Sequence, residues 1–308
     1  MEDQILLSYA RLRPGRGFRP GRALLYYAQR LVVQSASRRT IARLIAAGIR
    51  RSHPPGVLAG EPEGTPRSTA VLEQLRRDGC SELGALLSPA ALAEIHRFLA
   101  KRAVRAADGR SFAADRPPAG VPLGAYALED VLQCPHLLAL ANAPALTAVV
   151  GAYLGCQPTL SSLGLRWSFP PAAPGGSADT QRFHRDPDDG RVLKLLVYLT
   201  DVDAGAGPHC FVAGSHRSSG RVFARPYRRD QLAARYGAAA IRDFTGPAGS
   251  ALLADTYGIH RGGVPSTRPR LAFLAQYSLL PIFAFEYHPV RLARPPAVDR
   301  YVNRLLLA

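Results

Sequence analysis

With 308 residues, 47% of them hydrophobic, the chain has enough apolar content to bury a full core, which excludes a disordered or fibrous protein. No run of uninterrupted apolar residues approaches bilayer length. Four widely spaced cysteines with no Cys-x-x-Cys argue against a zinc site and for a reducing, cytoplasmic setting. The formal charge is +16, and it is unevenly placed.

Residues 1–60 hold eleven Arg against only Glu2 and Asp3, a net of 11 − 2 = +9. The N-terminus shows no signal-peptide pattern, because Arg interrupts each early apolar stretch. Within residues 1–51, Leu24, Leu25, Leu31, Ile41, Leu44, Ile45 and Ile49 partly recur at helical spacing among Arg30, Arg38, Arg39, Arg43 and Arg50. Three readings stay open for this basic, partly helical extension. It packs on the rest of the chain with its Arg solvated, it lies on an anionic membrane surface, or it binds nucleic acid. The last rests on charge alone. Residues 52–69 are rich in Pro, Gly, Ser and Glu and read as a linker, which leaves 70–308 as one domain.

Ser88-Pro89 starts a helix expected to run to about Arg105, with Ser88 as cap and Pro89 in the first turn. Residues 106–126 read as a Gly/Pro-rich loop, and Leu137–Leu154 as one or two helices ending at Gly155. Arg166 and Trp167 fall on a strand, with Trp167 read as core, and residues 170–180 form a loop. Arg191–Thr200 is an apolar buried strand. After the turn at 205–208, His209–Val212 reads as its short return strand. Residues 220–246 read as an insertion with a short helix near Asp230–Tyr236. Ser250–Ala254 and Leu271–Leu280 are two further strands.

Two of these strands lead into the residues that carry chemistry. His184-Arg185-Asp186 is a His-x-Asp pair, and His260 follows a strand far downstream. Two imidazoles and one carboxylate form a facial triad, which holds Fe(II) on one side and leaves the other positions open. A surface His beside an Asp is the plain alternative for the pair alone. Arg270 lies ten residues past His260 and begins an alternating strand with Ala272 and Leu274. Its planar guanidinium suits bidentate binding of the far carboxylate of 2-oxoglutarate. Arg268 is the competitor, but it precedes Pro269 and reads as a turn residue. Lys194, on the strand after the His-x-Asp pair, either contacts a cosubstrate or substrate carboxylate or makes a structural ion pair. Asp188 and Asp189 read as turn or surface carboxylates, and His209 and His216 as hydrogen-bonding structural residues.

Four segments in order carry a resemblance: LRRDGCSELGALLSPAALAEIHRFL (75–99), HLLALANAPALTAVVGAYLG (136–155), FHRDPDDGRVLKLLVYLTDVDAGAGPHCFVAGSH (183–216) and DTYGIHRGGVPSTRPRLAFLAQYS (255–278). Together they resemble the phytanoyl-CoA dioxygenase-like family of Fe(II)/2-oxoglutarate-dependent oxygenases. The resemblance implies a double-stranded β-helix, or jelly roll, with flanking helices. It implies Fe(II) on His184, Asp186 and His260, 2-oxoglutarate and O2 as cosubstrates, and succinate and CO2 as coproducts. Related halogenases lack the carboxylate ligand, so Asp186 favours hydroxylation, desaturation or ring formation. The basic extension, and Val264 where the family often carries Asn, are departures. The expected enzyme hydroxylates a small or medium metabolite: a sugar, a lipid-linked molecule or a secondary-metabolite intermediate. It would be cytoplasmic, with peripheral contact to the inner membrane face through residues 1–51 as an added reading. A silent jelly-roll binding module and a nucleic-acid-associated oxygenase are the alternatives.

Overall fold

In a computed structural model, residues 20–54, 66–171, 181–187, 189–219, 226–294 and 297–308 are described. The strands form two facing layers. The larger holds β1 (Cys80–Ala85), β9 (Ser250–Asp255), β6 (Val192–Tyr198), β11 (Arg270–Ser278), β5 (Thr159–Ser168), β4 (Leu123–Ala125), β2 (Val104–Ala106) and β3 (Ser111–Phe112), in that spatial order. The smaller is β10 (His260–Gly262), β7 (His209–Val212) and β8 (Ile241–Phe244). Every ladder is antiparallel. This is the jelly roll with flanking helices.

The two-residue period of a strand assigns each side chain to a layer. On β6, Leu193, Leu195 and Val197 face outward into the main core. On β11, Leu271, Phe273, Ala275 and Tyr277 do the same. Helices α4 (Pro89–Leu99), α5 (Leu128–Gln133), α6 (Leu137–Ala141) and α7 (Pro144–Leu154) cover that face. The alternate residues face inward. Leu196, Tyr198, Ala272 and Leu274 form a smaller cluster between the sheets. Tyr198 ties the layers together, donating its hydroxyl to the Phe244 carbonyl at 2.7 Å and accepting the His209 N–H at 2.9 Å. Polar residues at inward positions therefore share one interior with the smaller sheet.

Residues 137–154 are long and apolar enough, by length and composition, to cross a membrane, contrary to the expectation that no run reaches that length. They are two helices, parted at Asn142-Ala143-Pro144 where Pro cannot continue the first. Their Leu137, Leu138, Ala141, Leu146, Val149, Val150 and Leu154 are buried in the main core, and Gly155 ends α7 at φ +84°. Helix α4 begins as expected, with the Ser88 hydroxyl accepting the Ala91 N–H at 3.2 Å. It stops at Leu99 rather than Arg105, because Val104 and Arg105 pair with Phe112 and Ser111 as a strand. The 106–126 segment likewise holds β3 and β4. β7 does not return against β6; it joins β10 and β8 in the opposite layer. A helix forms at α8 (Arg229–Tyr236). The four cysteines are buried and free, and burial pushes their thiols up to about 11 or 12, which leaves them inert.

The basic segment contains α1 (Pro20–Leu31) and α2 (Ser35–Ser52). Ala42, Ala46 and Ile49, one helical stripe of α2, are buried in the main core. Arg38 on the same face is 4% exposed. It donates to the carbonyls of Gln29 at 2.8 Å and Pro187 at 2.6 Å, and to that of Asp189. α2 therefore closes part of the core. A chain truncated to begin near Ser68 is expected to expose that face and to aggregate or melt well below the full chain. A truncated chain as soluble and as thermostable as the full one would contradict the packing.

Candidate metal centre

His184 and His260 come together through backbone pairing. Each donates its N–H to the other's carbonyl at 2.9 Å, an isolated antiparallel bridge that extends the smaller sheet beyond β10. The two rings lie 4.4 Å apart between centroids. Asp186, two residues on, is fixed by its own N–H to the Thr256 carbonyl at 2.9 Å. Regular pairing thus aims all three side chains from the smaller layer into the interior.

The side-chain geometry is that of a donor set. His184 Nδ1 donates to the Arg182 carbonyl at 2.7 Å and His260 Nδ1 to that of Gly258 at 3.0 Å. An imidazole that donates from Nδ1 keeps its lone pair on Nε2, the tautomer a metal needs. Both Nε2 atoms point at Asp186, at 3.5 Å from Oδ1 for His184 and 3.4 Å from Oδ2 for His260. Two ligands at right angles, each about 2.1 Å from one ion, stand about 3.0 Å apart, so a small contraction suffices. The three donor atoms lie within 4.8 Å of one another. Among the described residues, no other such grouping of three or more His, Cys, Asp or Glu occurs.

Electrostatics favour the metal-competent protonation state. Burial, then the neighbouring His260, pushes the His184 imidazole down to about 4, so it is neutral at physiological pH. Burial works against ionising Asp186, but the Lys194 ammonium and the two imidazoles outweigh it and hold the carboxyl well below its usual range. Lys194 lies on the inward face of β6, with Nζ 2.6 Å from Asp186 Oδ2. Of the two roles open for Lys194 in the sequence, the geometry shows an ion pair to Asp186.

Arg270 is 6% exposed at the start of β11. Its Nη2 donates to the Ser168 hydroxyl at 3.2 Å, while Nε and Nη1 are buried with no hydrogen-bond partner. A buried guanidinium with idle donors is costly unless an anion completes it. A carboxylate brought in by a ligand supplies what is missing. Arg268 is exposed in the preceding turn and pairs with Asp203.

Two further residues face the same interior. The His209 ring stacks on His260 at 5.6 Å, and burial, with His260 and Arg270 nearby, keeps it neutral. Its side chain is given a site position rather than the structural hydrogen bond expected of it. Only its place after the 205–208 turn hinted at this. Arg166, on the inward parity of β5 with Ser168, is solvent-accessible yet surrounded by protein, within electrostatic reach of Asp186. His216 is structural, its Nε2 meeting the Arg76 carbonyl at 3.2 Å. Asp189 is buried rather than on the surface. Its carboxylate accepts the N–H groups of Gly190, Leu279 and Leu280 and so pins the ligand segment to the end of β11. Asp188 and residues 172–180 lie outside the described residues.

Known proteins place this architecture. The profile of the phytanoyl-CoA dioxygenase (PhyH) family matches residues 75–272. No curated protein matches the chain significantly. Among solved structures, the epimerase SnoN in complex with Fe3+, alpha-ketoglutarate and nogalamycin RO is 24% identical. It covers 69% of this chain and 84% of its own, with a TM-score of 0.50. EctD from S. alaskensis with bound Fe is 19% identical, covers 83% and 92%, and has a TM-score of 0.51. EctD with 2-oxoglutarate and 5-hydroxyectoine is 21% identical over 73% and 81%, at 0.50. At these identities the likeness establishes the fold. The family match spans well over half the chain and establishes more: the chain belongs to the phytanoyl-CoA dioxygenase (PhyH) family and is an Fe(II)- and 2-oxoglutarate-dependent oxygenase.

Proposed function

We propose that His184, Asp186 and His260 hold the Fe(II), that Arg270 holds the C5 carboxylate of 2-oxoglutarate, and that the enzyme hydroxylates an unactivated C–H bond of a small or medium metabolite. The observation that carries this reading is one interior shared by three converging donors and a buried guanidinium with two idle N–H groups. When bound, the iron would let O2 oxidise 2-oxoglutarate to succinate and CO2 and, with its second oxygen atom, one C–H bond of the substrate. The chain's own residues do the rest. The Arg182 and Gly258 carbonyls fix the imidazole tautomers, and the inward apolar residues Leu196, Ala272 and Leu274 keep water from the reacting centre. Arg166, on the inward parity of β5, would offer a positive charge to an anionic group of the substrate. The intact carboxylate ligand supports hydroxylation over halogenation.

Residues 70–308 form the catalytic domain in this reading; of the expected 52–69 linker, Pro66–Thr69 instead begin the helix Pro66–Asp78. α2 uses one stripe, Ala42, Ala46 and Ile49, in the core, which leaves its exposed Arg residues with Ile41 and Leu44 for any contact with an anionic surface.

Lys194 is assigned to positioning Asp186 and keeping it ionised. In Lys194→Met the Asp186 carboxyl regains a higher pKa, so protons compete with metal at higher pH. The acid limb of Mn(II) binding is expected to move upward by about one unit, while affinity near neutrality, where the carboxylate is ionised with or without Lys194, is not reduced. If the variant instead raised the KM for 2-oxoglutarate equally at all pH values, with the acid limb of metal binding unmoved, Lys194 would be a cosubstrate ligand.

The reaction type is tested by incubating the full chain with Fe(II), ascorbate, 2-oxoglutarate and 18O2 against a metabolite panel. The expected product carries one 18O atom, with one succinate formed per turnover. Succinate without any oxygenated or dehydrogenated product across a broad panel, or no succinate at all, would overturn the hydroxylase reading.

A further inference from the structure

The triad faces the interior between the sheets. Asp255, at the end of β9, faces the other way, into the helical layer, where its Oδ2 accepts the Tyr153 hydroxyl at 2.6 Å. Around this pair lies a second cavity of about 510 Å³, built by α2, α7, the end of α3 (Pro66–Asp78) and the 215–217 turn. Six arginines line it: Arg38, Arg39, Arg43, Arg76, Arg191 and Arg217. Asp255 is the only carboxylate among the lining residues, and both its oxygens are taken, Oδ1 by the Tyr257 N–H at 3.0 Å.

Two of the arginines are fixed parts of the wall. Arg38 is spent on the carbonyls of Gln29, Pro187 and Asp189. Arg191 donates to the Tyr153 carbonyl at 2.6 Å and lies over that ring, its guanidinium carbon 5.3 Å from the centroid. The other four, Arg39, Arg43, Arg76 and Arg217, are exposed, and their guanidinium groups make no hydrogen bond or ion pair with any described residue. They come from three separate elements, so no single helix period accounts for their meeting. Four unpaired guanidinium groups around one concavity repel each other and focus a positive potential into it. A ligand with one negative charge would satisfy one of them. A phosphoryl group offers several oxygens and two or more charges, in the geometry that guanidinium forks match. The volume suits a small molecule.

We propose that this cavity is an anion site for a phosphoryl-bearing ligand of the diphosphate class, separate from the oxygenase centre. The proposal does not depend on the metal reading. The ligand is either a soluble phosphorylated metabolite or a phospholipid headgroup. The second source is raised by Leu24, Leu25, Ile41 and Leu44, large apolar residues exposed on α1 and α2.

The test is calorimetric titration of the full, metal-loaded chain with inorganic diphosphate. Arg39→Gln and Arg217→Gln approach the cavity from different elements. Each is expected to weaken diphosphate binding about tenfold, and the double variant about 100-fold. Arg97→Gln on α4 should leave binding unchanged. Diphosphate should also raise the melting temperature of the wild type but not of the double variant, and 2-oxoglutarate turnover should be the same in both. Sedimentation with phosphatidic acid vesicles, whose headgroup is a phosphomonoester, against neutral phosphatidylcholine, separates the sources. Vesicle binding that diphosphate displaces and the double variant loses assigns the site to a headgroup. Diphosphate binding without vesicle binding assigns it to a soluble ligand. No diphosphate binding at millimolar concentration, or binding unchanged in the double variant, overturns the proposal.

Discussion

Asp186→Ala is expected to reduce succinate formation to background and to weaken Fe(II) or Mn(II) binding by more than about 100-fold. Loss of a hydrogen bond to a metal ligand already costs about 10–100-fold in affinity, and removal of the ligand itself costs more. Asp186 is the one anion among the three donors, and both imidazoles point their Nε2 atoms at it. Without it, two neutral donors face the Lys194 ammonium, which repels a cation. Metal affinity is read by titration and folding by melting temperature, so a collapsed protein is told apart from a folded one that lacks metal. Turnover retained in a folded Asp186→Ala would mean that another carboxylate holds the iron, with Asp188 the first to examine.

Arg270→Ala is expected to raise the KM for 2-oxoglutarate strongly while metal binding stays intact. Removing one member of a desolvated charge pair costs about 2–5 kcal/mol, a factor of roughly 30 to 4,000. The idle Nε and Nη1 of Arg270, deep in the interior, are the donors whose loss would be felt. Arg268→Ala should change the KM less than about fivefold, because an exposed pair such as that with Asp203 contributes at most about 1 kcal/mol. Equal effects from the two variants, or the reverse order, would remove Arg270 from cosubstrate binding and turn attention to Arg166.

Local pattern made the scaffold of the site legible. Strict alternation along β6 and β11 separates Leu193, Leu195 and Val197 from Lys194, Leu196 and Tyr198, and Arg270 from Leu271. A strand cannot turn one residue without turning its neighbours, so the sequence parity of Arg270, Ala272 and Leu274 carries into the fold. The His-x-Asp spacing and the distal His were visible for the same reason.

What escaped depends on contacts between distant segments. Four-residue β7 has no local signal for its partner, and it pairs with β10 in the smaller sheet rather than back onto β6. Val104 ends a helix because a neighbouring strand recruits it, which propensity in α4 cannot show. For α2, packing was one of three readings left open, because its buried stripe holds the small residues Ala42 and Ala46, which contribute little to a hydrophobic pattern. Asp189 looked like a surface carboxylate. Its three N–H partners are Gly190 beside it and Leu279 and Leu280, ninety residues on. His209 came into the site by the same route, through the packing of β7 against β10.

The most direct test is a crystal structure of the full chain grown anaerobically with Mn(II) and 2-oxoglutarate, with anomalous data locating the metal. The account predicts one metal peak bounded by His184 Nε2, an Asp186 oxygen and His260 Nε2, at about 2.0–2.2 Å from each. It predicts the far carboxylate of 2-oxoglutarate against Arg270 Nε and Nη1. A metal held by any other set of residues, or 2-oxoglutarate turned away from Arg270, would contradict it.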